Sequence, residues 1–107
     1  MASTNRTNWT LDPEDPFERV LIEMVELSRK KSHDYAADND RFSNFRESAD
    51  HLGLRAVDSA DLLIATKQAR LKQLRQKGDP ANESLRDTYL DRACYSVITL
   101  ALLDEEE

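Results

Sequence analysis

A chain of 107 residues with 39% apolar content is one domain with one modest core. Its two glycines and three prolines are too few for the reversals of a many-stranded sheet, so the expected fold class is all-α. The same scarcity excludes a glycine-rich phosphate loop, so any phosphate must be held by side chains. A formal net charge of -6 argues against duplex nucleic acid, which needs clustered Lys and Arg. A single cysteine, Cys94, excludes an internal disulfide and suits a reducing compartment. No apolar run approaches the roughly 20 residues of a membrane helix. The polar residues 1–10 have no signal-peptide core, so the expectation is a soluble cytoplasmic protein with no membrane partner.

Residues 1–14 read as a loosely attached arm in which Trp9 is the large side chain, residues 15–103 as one helical domain, and 104–107 as an acidic tail. Asp15 suits a cap, Pro16 the first helical position, and Glu18 the third position of a capping box. A helix from about Pro16 to Ser32 follows, with Phe17, Val20, Leu21, Met24 and Leu27 in one apolar stripe. Periodicity lapses from His33 to Asp40, with Asp38-Asn39-Asp40 as a turn. A short helix from about Arg41 to Leu52 would gather Phe42, Phe45, Ala49 and Leu52, with Gly53 as its C-cap. A third helix, about Arg55 to Gln76, buries Val57, Ala60, Ile64 and Leu71, with Leu63 and Leu74 beside them; Gly78-Asp79-Pro80 closes it. A fourth, capped by Asn82 or Ser84 and running to about Leu103, is apolar almost all round beyond Leu90. Three long helices and one short one thus form a bundle. The apolar surface of the last helix implies completion by oligomerisation, with a dimer as the default and a tetramer next.

Carboxylates interrupt these apolar stripes. Glu83, Asp87 and Asp91 are spaced by four and so lie about 40° apart around the axis, as one ridge. Asp58 and Asp61 share a face, and Asp61 falls between Val57 and Ile64. Acids so placed need a cation, hydrogen bonds or a metal. Magnesium accepts a few carboxylates together with phosphate oxygens and water. The alternative is an ion pair of Asp87 and Asp91 with Arg86, Arg92 or Lys67. Glu23-x-x-Glu26 is unspecific alone, since Arg19 with Glu23 and Glu26 with Lys30 make ordinary surface pairs.

The pattern Lys31-x-x-Asp34-Tyr35, Phe42-x-Asn44-Phe45, Lys67-x-x-Arg70-Leu71, then Glu83-Ser84-x-x-Asp87-x-x-x-Asp91-x-x-x-Tyr95 resembles small all-helical phage proteins assigned to nucleotide-modification-associated domains. These are grouped loosely with the MazG-like nucleotide pyrophosphatases. The resemblance spans residues 20–103. It implies a helical nucleotide-binding domain acting on nucleotide pools or signals in the host cytoplasm. In MazG-like enzymes an E-x-x-E pair and a later E-x-x-D pair hold magnesium against a nucleoside triphosphate. Glu23 and Glu26 fit the first; the second is absent as written, with Asp58-x-x-Asp61 nearest and Asp87-x-x-x-Asp91 differently spaced.

On the enzyme reading, Glu23, Glu26, Asp87 and Asp91 are the catalytic and metal-ligand set, with Asp58 or Asp61 as a substitute. A metal-activated water would attack an α-phosphorus. Lys31, Arg46, Lys67 and Arg70 would hold phosphates. Tyr35 or Phe45 would stack on the base while Asn44 reads its edge, with Asp34 beside them. A non-catalytic binder that sequesters a host defence signalling nucleotide uses the same basic and aromatic residues and leaves the acids structural. A module that engages a host protein through its acidic surface or last helix is the third reading.

Overall fold

A computed structural model describes residues 10–35, 42–77 and 84–106; the side chains of residues 32–35 lie outside that description, as do the expectations placed on Trp9, residues 38–40, 78–80, Asn82 and Glu83. The described residues form four helices and no strand, as an all-α fold requires. They are α1 (Pro16–Tyr35), α2 (Ser43–Leu52), α3 (Ala56–Lys77) and α4 (Leu85–Glu106).

The Asp-Pro-rich entry to α1 works as a local clamp. The Asp15 carboxylate accepts a hydrogen bond from the Glu18 amide at 2.9 Å, satisfying one of the otherwise orphaned first-turn N–H groups. Glu18 reaches back as a capping-box residue does, but to the Asp12 amide at 2.7 Å rather than to the cap residue itself. Asp12 in turn accepts from the Glu14 amide at 2.9 Å. At its other end α1 continues to Tyr35, beyond the expected stop near Ser32. Loss of apolar periodicity there is no stop signal, because Ser32 to Tyr35 contains neither glycine nor proline to end the backbone ladder.

The end of α2 is set by Gly53, in the left-handed region at φ 71. Its amide donates to the Asp50 carbonyl at 3.3 Å and that of Leu54 to the Ala49 carbonyl at 2.8 Å, the paired bonds of a Schellman motif. At the start of α4 the Ser84 hydroxyl accepts from the Asp87 amide at 3.0 Å. One turn in, the fully buried Thr88 hydroxyl donates to the Ser84 carbonyl at 3.1 Å.

The frame of the molecule is the antiparallel α3–α4 pair, the most extensive helix contact. Val57, Ala60, Ile64, Lys67, Leu71 and Leu74 recur at alternating spacings of three and four along α3, and each is buried or half-buried. On α4 the matching series is Thr88, Asp91, Tyr95, Ile98 and Leu102. Such spacing is that of a coiled-coil seam. Cross-helix pairs fix the register from end to end: Arg55 with Glu106 at 3.1 Å, Lys67 with Asp91 at 3.1 Å, and Arg75 with the Tyr89 hydroxyl. Over the seam's Leu102 end lies α2. Phe42 and Phe45 pack there on Val57, Ala60 and Leu102, and Arg46 meets Glu105 at 2.5 Å. Full burial of a leucine such as Leu102 contributes about 2 kcal/mol.

Phe17 is 73% exposed and Leu52 60%, because the helix ends that carry them overhang their neighbours. Asp61 faces solvent, since the seam runs through Ala60 and Ile64 and turns Asp61 aside. Glu105 and Glu106 belong to the last turn of α4, held there by Arg46 and Arg55, rather than to a separate tail. Most consequential for the site, α1 rests, among the described residues, against α4 alone, and sparingly.

Candidate functional site

Because among the described residues α1 meets only α4, its half-buried side leaves a cleft of about 900 Å³ against the α2–α3–α4 unit. Leu21, Met24 and Leu27 of α1 form one wall. The other combines Phe42 and Phe45 with Cys94, Tyr95 and Ile98 of α4. The two phenyl rings stand edge to face, with centroids 6.5 Å apart and planes at 66°. Polar groups also line it, including Lys31, Arg29, Asn44, Ser59 and Asp91. Largely apolar walls with a few polar groups are the usual make-up of a small-molecule site.

Of the ligand-binding set, Lys31, Asn44 and Phe45 line this cleft. Phe45 does so while also packing on the Val57–Ala60–Leu102 core. Asp34 and Tyr35 are helical in backbone, on the last turn of α1 rather than in a loop, and their side chains lie outside the described residues. Arg46 is engaged by Glu105 away from the cleft lining, and Arg70 is half-buried without lining it. Lys67 Nζ sits 3.1 Å from Asp91 Oδ2. Two residues assigned to different tasks, phosphate binding and metal binding, therefore neutralise one another.

Of the four acids, Asp91 alone lines the cleft. Glu23 is held by a two-pronged pair with Arg86 of α4 at 2.7 and 3.0 Å. The guanidinium hydrogen bonds hold the Glu23 carboxyl below its ordinary value and raise that of Arg86 in return. Glu26 and Asp87 are exposed. Among the described residues no group of three or more His, Cys, Asp or Glu side chains gathers where it could hold a metal ion. Glu23 and Asp91 nonetheless sit close enough to Cys94 to act on its thiol, as does Lys31. Burial is the largest influence on that thiol and pushes it up; Lys31 opposes, and Asp91 and Glu23 add to the rise. Cys94, Lys31, Asp91 and Glu23 thus form one electrostatic neighbourhood around the α1–α4 junction.

Tyr95 and Cys94, to which the sequence reading gave no binding role, both face the cleft. The usable signal was their spacing from Asp91, which sets all three on the inward side of α4. Arg29 and Ser59 carried no such signal. Among the described residues no helix is long and apolar enough to cross a membrane. Comparison with protein-family models, with curated proteins and with solved structures finds no match to this chain.

Proposed function

We propose that the chain binds a nucleotide in the cleft between α1 and the α2–α3–α4 unit, as a phage-type nucleotide-binding protein acting on nucleotide pools. The single observation that carries this reading is the cleft itself, in which Phe42, Phe45 and Tyr95 offer flat apolar surface beside Lys31, Arg29 and Asn44. A base fits the aromatic part, since every base has a π-face that stacks. Asn44 offers a donor and an acceptor for the base edge, and the two cations suit phosphate oxygens.

The reaction that the MazG-like resemblance implies is magnesium-dependent release of pyrophosphate from a nucleoside triphosphate. Asp91, alone of the four acids in lining the cleft, would offer one carboxylate to a magnesium whose other ligands are phosphate oxygens and water; among the described residues there is no all-protein cage for the ion. Bound there, the ion would neutralise phosphate charge and acidify a water. Lys31 would orient the phosphate chain, and Phe42 and Phe45 would exclude water from the base.

Sequestration of a host signalling nucleotide without turnover is the second reading. It is favoured by Glu23 and Asp91 already having intramolecular cations, Arg86 and Lys67, in place of a metal. In either case the working form is a homo-oligomer, supported by Leu100 at 62% exposure and Leu103 at 37% on α4.

Calorimetric titration with a panel of nucleoside triphosphates and cyclic dinucleotides, with and without magnesium, and a parallel assay for pyrophosphate, tests both readings. Magnesium-dependent pyrophosphate release supports the hydrolase. Binding with no turnover supports sequestration, and no binding by any member defeats both.

A further inference from the structure

A second hollow, of about 580 Å³, lies between α1 and the first half of α4; it shares only Met24 and Val97 with the cleft described above. Val20, Met24, Leu90 and Val97 give it an apolar floor, and Arg86, Tyr89 and Arg92 its polar part. The guanidinium carbons of Arg92 and Arg75 stand over the Tyr89 ring at 5.2 and 5.5 Å. Arg75 also donates to the Tyr89 hydroxyl, and Arg92 to the Gln68 side-chain oxygen at 2.5 Å. The sequence reading gave none of these residues a ligand.

The charges here are unevenly matched. Arg86 is satisfied by Glu23, whereas among the described residues no carboxylate pairs with Arg75 or Arg92. Arg92 is half-buried, and its partners are a neutral amide and a ring. A partly desolvated cation normally acquires a counter-charge, as the half-buried Lys67 does from Asp91. Each guanidinium has five N–H donors, and the bonds to the Tyr89 hydroxyl and the Gln68 oxygen use one on each. Both forks stand within 5.5 Å of one ring centroid with donors to spare; two such cations match a dianion better than a monoanion, and a phosphate monoester carries a charge of about -1.5 to -2 near neutral pH.

We propose that this hollow is a second binding site, specific for a phosphate monoester with an apolar or flat body. The phosphate lies on Arg92, which lines the hollow, and on Arg75, which is not part of the lining but reaches the same Tyr89 ring from α3; the body lies on Val20, Met24, Leu90 and Val97. The site does not depend on what the cleft binds.

The test is an NMR titration of the full chain, following the arginine Nε–Hε signals, with phenyl phosphate as probe and inorganic phosphate, phenol and benzoate as comparisons. Phenyl phosphate is expected to shift Arg92 and Arg75 saturably, with each comparison binding roughly tenfold or more weakly. Arg92→Gln is expected to weaken phenyl phosphate by roughly tenfold or more, and Arg92→Lys, which keeps charge but loses the planar fork, by a similar factor. Arg75→Gln, at an exposed side chain, gives a second measure should Arg92→Gln unfold the chain. Absence of a saturable shift, equal affinity for inorganic and phenyl phosphate, or affinity unchanged in both glutamine variants would overturn the assignment.

Discussion

Lys67 Nζ lies 3.1 Å from Asp91 Oδ2 at adjacent seam positions of α3 and α4, with side chains only 22% and 27% exposed. The residues around them in the two series are mainly apolar, so this is a polar rung in a greasy ladder. A lone charge at such a position is unfavourable, while the pair defines one register. Lys67→Met is therefore expected to cost about 1–3 kcal/mol, between surface and buried pairs. Lys67→Leu with Asp91→Leu should recover most of that loss. Urea denaturation of both singles and the double closes the cycle, and additive losses would show that the pair does not interact.

Glu23 of α1 and Arg86 of α4 form an ion pair at 2.7 Å. The folded-state pKa of Glu23 is lowered from 4.5 by the Arg86 hydrogen bonds. A carboxyl depressed in the folded state stabilises fully above its unfolded value, and that contribution is lost as pH falls through the folded one. Both partners are solvent-exposed, so the effect on global stability is small. Its local signature is clearer: carboxyl-carbon NMR should place the Glu23 midpoint below 4.5, and Arg86→Gln should return it upward. A midpoint unmoved by that substitution would remove Arg86 as the cause.

Gly53 shows how a single residue legible in sequence becomes a backbone fact. A β-carbon built on it meets nothing within 4 Å, so substitution is penalised by φ +71 alone rather than by any clash. Gly53→Ala should cost about 1–2 kcal/mol, with Gly53→Asn costing less because asparagine tolerates the left-handed region. Thermal unfolding of the two variants checks the order. An alanine variant as stable as the parent would mean that α2 ends in another way.

Elements whose signals are local were readable: the Asp15 and Ser84 caps, the Gly53 stop, and the apolar series through Val57, Ala60 and Leu71. What depended on partners was not. Asp61 and Lys67 both interrupt apolar residues on α3, yet Asp61 is turned to water and Lys67 into the seam. Only the position of α4 decides which. Likewise the stripe of α1 was visible, but not that it would face a cleft instead of a packed neighbour. The acids of α1 and α4 were grouped by residue type, whereas arginine and lysine from across the helices hold two of them individually.

The outward side of α4 carries Leu100, 62% exposed, and Leu103, 37% exposed, neither of which lines the cleft or the hollow. Were this side an interface between copies, Leu100→Lys with Leu103→Lys should yield monomers while leaving the helix content intact, because neither side chain belongs to the Val57–Ala60–Leu102 core. Sedimentation velocity and far-ultraviolet circular dichroism measure the two properties separately. Parent and variant sedimenting alike would exclude this side as the contact.

Cys94 reports on the cleft without any assumption about chemistry. Its thiol lines the cleft and is raised above 9.0 chiefly by burial, with Lys31 acting in the opposite sense. The thiolate is the reactive form, so alkylation by iodoacetamide should be slow at neutral pH and accelerate as pH rises through the value of an ordinary thiol and beyond. Lys31→Gln removes the influence that favours the thiolate and should slow the reaction further at a given pH. A nucleotide seated between Lys31 and Tyr95 would cover the sulfur, so saturating nucleotide should reduce the alkylation rate by roughly tenfold or more, in proportion to occupancy. Alkylation unaffected by a nucleotide shown calorimetrically to bind would mean that the ligand sits elsewhere, and the α1–α4 hollow would be the next place to look.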